Sequence, residues 1–88
     1  ALQSWLASAA FARRAGDLAS AQTYVETAAA IDSRSPDVGL EAGIIAALAG
    51  RDEAARQSFA SVQEVAPGSP HARLAADYLA QLNADPVE

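Results

Sequence analysis

The stretch SPDVGLEAGIIAALAGRDEAARQSFASVQEVAPGSP, residues Ser35 to Pro70, decides the fold. It opens on Ser35-Pro36, pauses at Gly50, resumes at Asp52-Glu53, stops at Pro67-Gly68 and opens again on Ser69-Pro70, 34 residues on. A serine hydroxyl before a proline accepts a hydrogen bond from an orphan N–H at a helix start. Proline in the first helical position gives up only a donor that would have no partner. Glycine just past the last helical turn closes it in a left-handed conformation. The stretch therefore predicts two helices, about Pro36 to Ala49 and Asp52 to Val65, joined by a tight turn and followed by a third start.

Working outward, the same period runs through the chain. Leu6, Leu40 and Leu74 share one register, Ala12, Ala46 and Ala80 another, and Gly16 and Gly50 a third. A fixed period in this range marks a solenoid, in which a helical hairpin buries its apolar face only by stacking on copies of itself. A plain five-helix bundle gives no reason for such a register. Before the quoted stretch, the spacing predicts helices over about Leu2 to Arg14 and Leu18 to Ile31, with stripes Trp5, Leu6, Ala9, Ala12 and Leu18, Ala21, Val25, Ala28. After it comes a fifth helix, about Pro70 to Leu82. Ala55, Phe59 and Val62 form the stripe of the fourth. Arg13 and Arg14 complement the negative end of the first helix, Asp52 and Glu53 the positive end of the fourth, and Asp52 with Arg56 is an i,i+4 pair. The expectation is an all-α chain of about five antiparallel helices forming one domain over residues 1–82. Its units are 1–34 and 35–68, a terminal helix spans 70–82, and residues 83–88 are a flexible tail.

The 88 residues bury a modest core, because about half are apolar but most of those are alanine. The formal charge of −5 argues against nucleic acid and anionic membrane surfaces as partners, since no basic patch can release counterions. All six cations are arginine. With the alanine content, that hints at a bacterium with a GC-rich genome, and the compartment, cytoplasmic or periplasmic, is left open. Cysteine is absent, which excludes disulfides and thiolate metal sites. No apolar run approaches the roughly 18 residues that span a bilayer. The chain begins at Ala1 and has no methionine, so it is expected to be a segment of a longer protein.

In register, the two units resemble the tetratricopeptide repeat, a 34-residue helix-turn-helix. The first supplies Trp5, the small Ala9, the Gly16-Asp17 turn, Ala21, Val25 and Ala28. The second supplies Gly43, the Gly50 turn, Ala55, Phe59, Val62 and Pro67. The chain departs from the family where the first-helix leucine is Ser8, Ala42 and Ala76 and the aromatic is Ala12, Ala46 and Ala80. The bulk moves one residue earlier, to Phe11, Ile45 and Leu79. The resemblance implies helix pairs stacked as a right-handed superhelix, with first helices lining a concave groove that receives a peptide or a helix. Carried over by register, the groove positions are Gln3, Leu6, Ala10 and Arg13; Asp37, Leu40, Ile44 and Ala47; and His71, Leu74, Tyr78 and Gln81. They make an apolar strip with polar ends, suited to an apolar row of a partner protein or peptide. The plainer alternative is that these leucines pack neighbouring first helices. A chaperone-tail carboxylate clamp is not expected, because the slots for its cations hold Leu6, Ala10, Glu41, His71 and Ala75.

No catalytic residue, metal ligand or cofactor is expected. His71 is the single histidine and reads as a solvent-exposed first-turn residue; one imidazole without clustered partners makes neither a metal site nor a nucleophile–base pair. The carboxylates are spread over helix ends and outer faces. Gly39 and Gly43 form Gly-x-x-x-Gly, read as a close helix crossing, and phosphate-loop and dinucleotide glycine patterns are absent. The function expected is a non-catalytic protein-interaction module, a scaffold or adaptor. The alternative is a structural module that self-associates through its terminal helix, or packs within a larger protein, because Leu74, Leu79 and Leu82 would lie partly bare.

Overall fold

In a computed structural model, residues 1–84 are described, and they form five helices with no strand among them. These are α1 (Leu2–Arg14), α2 (Leu18–Ile31), α3 (Pro36–Leu48), α4 (Asp52–Val65) and α5 (Pro70–Asn83). The Ser-Pro starts act as read: the Ser35 hydroxyl accepts from Val38 N–H at 3.3 Å and the Ser69 hydroxyl from Ala72 N–H at 3.0 Å. Asp17 caps α2 by accepting from Ser20 N–H. Hydrogen bonds from Ser20, its hydroxyl first and then its backbone N–H, hold the Asp17 carboxyl below the ordinary carboxylate range.

Gly16 and Gly50 close α1 and α3 identically, with φ of +85° and +78°. Gly16 N–H bonds Arg13 C=O and Asp17 N–H bonds Ala12 C=O; Gly50 N–H bonds Ala47 C=O and Arg51 N–H bonds Ala46 C=O. This is the Schellman arrangement, and it uses Ala49 as its cap, so α3 ends at Leu48, one residue short of the expected end. A Cβ at Gly50 would meet nothing within 4 Å, so only backbone strain resists substitution there. Gly50→Ala is expected to cost about 1–2 kcal/mol in urea unfolding. A neutral result would remove the argument from backbone conformation.

The expected Asp52–Arg56 pair is not formed. Arg56 instead reaches across to the last turn of α5, donating to Asn83 Oδ1 at 2.9 Å and to Leu82 C=O at 3.4 Å, with Glu53 at 3.5 Å. The pull of an uncapped helix end explains the choice, and it carries α5 through Asn83, one residue beyond the expected Leu82. The tail expected over 83–88 therefore starts inside a helix, and its residues 85–88 lie outside the described residues.

Each helix packs on the next. In addition α1 lies beside α3 and α3 beside α5, whereas among the described residues the Cα atoms of α2 and α4 stay more than 8 Å apart. The result is two layers, α1-α3-α5 and α2-α4, over an extent of 43 × 29 × 17 Å. The core forms two clusters, each reaching from one unit into the first helix of the next. Leu6, Ala9, Ala12, Ala21, Val25, Ala28, Val38 and Ile45 make one cluster, and Ala46, Ala55, Phe59, Val62 and Ala75 the other. Register predicts burial where a partner helix packs: Ala12 and Ala46 are buried, but Ala80, against which no further helix packs among the described residues, is exposed.

Candidate partner-binding groove

Antiparallel succession makes α1, α3 and α5 parallel, so residues one period apart occupy matching turns of adjacent helices. Between α1 and α3 this leaves an open groove of about 360 Å³. Gln3, Leu6, Asp37, Leu40 and Ile44, all expected groove positions, line it, and Ala7 and Glu41 complete its wall. Its polar lip is Gln3, Asp37 and Glu41, and its apolar floor is Leu6, Leu40 and Ile44.

The repeating leucines are not equivalent. Leu6 is 9 % exposed and belongs to the first core cluster, Leu40 is half-buried, and Leu74 is 49 % exposed. Leu6 and Leu40 each have a first helix beside them on the following side, α3 and α5, whereas among the described residues no helix lies against that side of Leu74. Leu6 is thus mainly a packing residue, as the plainer reading had it, while Leu40 and Ile44 lean on the second cluster and present their remaining surface to the groove.

Two polar clasps tie the row together. Arg13 Nε donates to Glu41 Oε2, and the second guanidinium nitrogen lies 3.4 Å from Oε1. Both side chains are mostly buried, at 21 % and 13 % exposure. Removing one partner would strand the other charge, so Arg13 serves the α1–α3 contact and is not free for a ligand. At the opposite end His71 Nε2 sits 2.6 Å from Asp37 Oδ1, joining α5 to α3. His71 is therefore half-buried and partnered, where the sequence reading had it free in solvent. The cause is the stacking itself, which sets the first turns of α3 and α5 side by side.

The α5 positions do not join the α1–α3 groove. Tyr78 turns inward and stacks on Phe59, with ring centroids 5.0 Å apart and planes 13° from parallel. Leu74 and Gln81 are exposed on α5. Ala10 and Ala47 are half-buried, and Ala47 packs on the second cluster. Of the leucines expected to lie partly bare, Leu79 and Leu82 are half-buried against that same cluster, which leaves Leu74 as the one exposed leucine of α5 among the described residues. Ala7 and Glu41 were not among the expected groove residues, yet a signal existed: they are register mates, each directly following a repeating leucine. The Arg13–Glu41 pairing had none, because the two residues are 28 apart.

Among the described residues no three His, Asp or Glu side chains converge as a metal site would require, and no helix is long and apolar enough to cross a membrane. No family model matches the chain, and neither curated proteins nor solved structures provide a match.

Proposed function

We propose that this chain is a tetratricopeptide-like, right-handed helical-repeat segment acting as a non-catalytic adaptor, with the α1–α3 groove as the seat of a partner protein segment. The observation that carries this reading is the groove's makeup: a floor of Leu40 and Ile44, partly open, framed by Gln3, Asp37 and Glu41. A partner row of apolar side chains removes that floor from water, and the polar lip sets its direction. Arg13 and His71 act indirectly, by holding α1, α3 and α5 at the spacing that keeps the groove open.

The test is affinity capture from a lysate of the source organism, read by mass spectrometry, with Leu40→Glu compared to the parent chain. Burying one leucine is worth about 1.5–3 kcal/mol, so capture is expected to weaken by about tenfold or more. Far-UV circular dichroism and thermal unfolding establish that the variant is folded. Ala60→Glu, on the exposed side of α4, is the matched charge control and retains capture. Undiminished capture by a folded Leu40→Glu chain would sink the proposal.

Self-association through α5 has less to support it, since Leu79 and Leu82 are already half-buried against the second cluster.

A further inference from the structure

The groove between α1 and α3 has an uneven charge and a fixed length, and the two together restrict what can fill it. Its walls carry two carboxylates, Asp37 and Glu41, and no cation. Glu41 is neutralised by Arg13, with both side chains mostly withdrawn from water. Asp37 keeps its charge. An ionised carboxylate only accepts, so His71 Nε2 donates to its Oδ1, and a neutral imidazole leaves the negative charge in place. The Asp37 side chain is 51 % exposed, and its Oδ2 has no partner among the described residues. The groove is thus neutral inside and negative at its mouth, where Asp37 stands across from Gln3.

Its length follows from the helix. Ile44 and Leu40 are about 6 Å apart along α3, and Asp37 lies about 4.5 Å beyond. Alternate side chains of an extended segment are about 6.6 Å apart on one face, so two of them meet Ile44 and Leu40 in turn. A long basic side chain two residues further on reaches back to Asp37. A helix stable enough to dock alone needs about 12 residues, or about 18 Å. It would overrun the groove, which α1 lines only from Gln3 to Ala7. The repeat does not fill this space itself, because α5 stands beside α3 and adds no side chain to the lining. The chain's own residues Asp85 to Glu88 carry two acids and no base.

We propose that the groove takes an extended segment of another protein, with two apolar side chains at alternate positions and a lysine or arginine two positions beyond, the base resting on Asp37. This rests on the adaptor reading of the groove and adds the chemistry of the occupant. The net charge of −5 steers such a segment toward the chain.

A random peptide library displayed on phage is selected against the full chain, Asp37→Asn and Leu40→Glu, each shown to be folded by circular dichroism and thermal unfolding. The parent chain is expected to enrich the apolar pair with its base. Asp37→Asn, whose side-chain oxygen still accepts from His71, keeps the apolar pair and loses the base; Leu40→Glu loses both. The synthetic consensus peptide is expected to bind with a Kd of about 100 µM or tighter, since only a segment tethered in the same chain gains the millimolar effective concentration that makes weaker binding sufficient. Asp37→Asn weakens it by about two- to fivefold, as does glutamine in place of the peptide's base, and the two losses do not add. High salt removes the difference, whereas His71→Gln, which keeps the Asp37 charge, leaves it in place. Apolar pairs enriched without a base, or with a base that survives Asp37→Asn, overturn the proposal while the adaptor reading stands. Apolar residues three or four apart overturn it in favour of a helix, and millimolar binding in favour of a tethered segment. Self-association of the chain that Leu40→Glu abolishes overturns it in favour of a second copy. Absence of any enrichment that depends on Leu40 overturns both.

Discussion

Gly43→Ala is expected to destabilise the chain, Phe59→Val is expected to destabilise it separately, and the two together are expected to cost much less than their sum. A Cβ on Gly43 would fall inside the van der Waals surface of the Phe59 ring, which is itself fully buried. The ring cannot retreat, because Tyr78 stacks on it from α5. Overpacking of this kind costs about 1–3 kcal/mol. Phe59→Val alone leaves a cavity, at a cost of about 1–3 kcal/mol. The first unit shows why the pair compensates: one period earlier, Ala9 and Val25 occupy the same two places and are both buried. The double substitution therefore imports a combination that this fold already packs. Chemical unfolding of the four chains gives the cycle, and a coupling of about 0.5–3 kcal/mol in the favourable direction is expected. Additive costs would show that the helix spacing in unit two differs too much from unit one for the exchange.

The second large effect is expected on removing α5. A chain ending at Ser69 loses Ala75, Tyr78, Leu79 and Leu82, the α5 side chains packed on the second cluster. Each large apolar side chain withdrawn from water is worth about 1.5–3 kcal/mol, and the total reaches the 5–15 kcal/mol by which an ordinary domain is stable. Phe59 and Ala46 would lie open and the Arg56 bonds to Leu82 and Asn83 would vanish. Helical content is expected to fall by clearly more than the 14 residues of α5, because α4 and the end of α3 melt with it. A loss confined to those 14 residues, with an unchanged midpoint for the remainder, would show that the second unit stands without its cover.

These two results concern the part of the molecule where register and packing part company. Helix bounds were legible because serine, proline and glycine act through their own backbones and nearest neighbours. Ser35, Ser69, Gly16 and Gly50 behave as local chemistry requires, and only the last residues of α3 and α5 shifted. The α3 shift came from the closing turn and the α5 shift from Arg56, a residue distant in sequence. Arg56 also shows the limit of local pairing rules: an i,i+4 carboxylate was at hand, yet the guanidinium went to an unsatisfied helix end 26 residues away.

The groove divides along the same line. Period alone placed Gln3, Leu6, Asp37, Leu40 and Ile44 together, since parallel helices of equal repeat put register mates on matching turns. Period could not say that Tyr78 would leave the groove for Phe59, that Arg13 would be spent on Glu41, or that His71 would be held by Asp37. Those outcomes depend on side chains reaching across helices, and reach depends on the spacing and rotation of neighbours that the 34-residue repeat does not encode. The order of helices, their starts and stops, and the rows they form thus follow from local backbone chemistry and periodicity. Which members of a row are buried, clasped or left open follows from what stands beside each helix, as buried Ala46 and exposed Ala80 show.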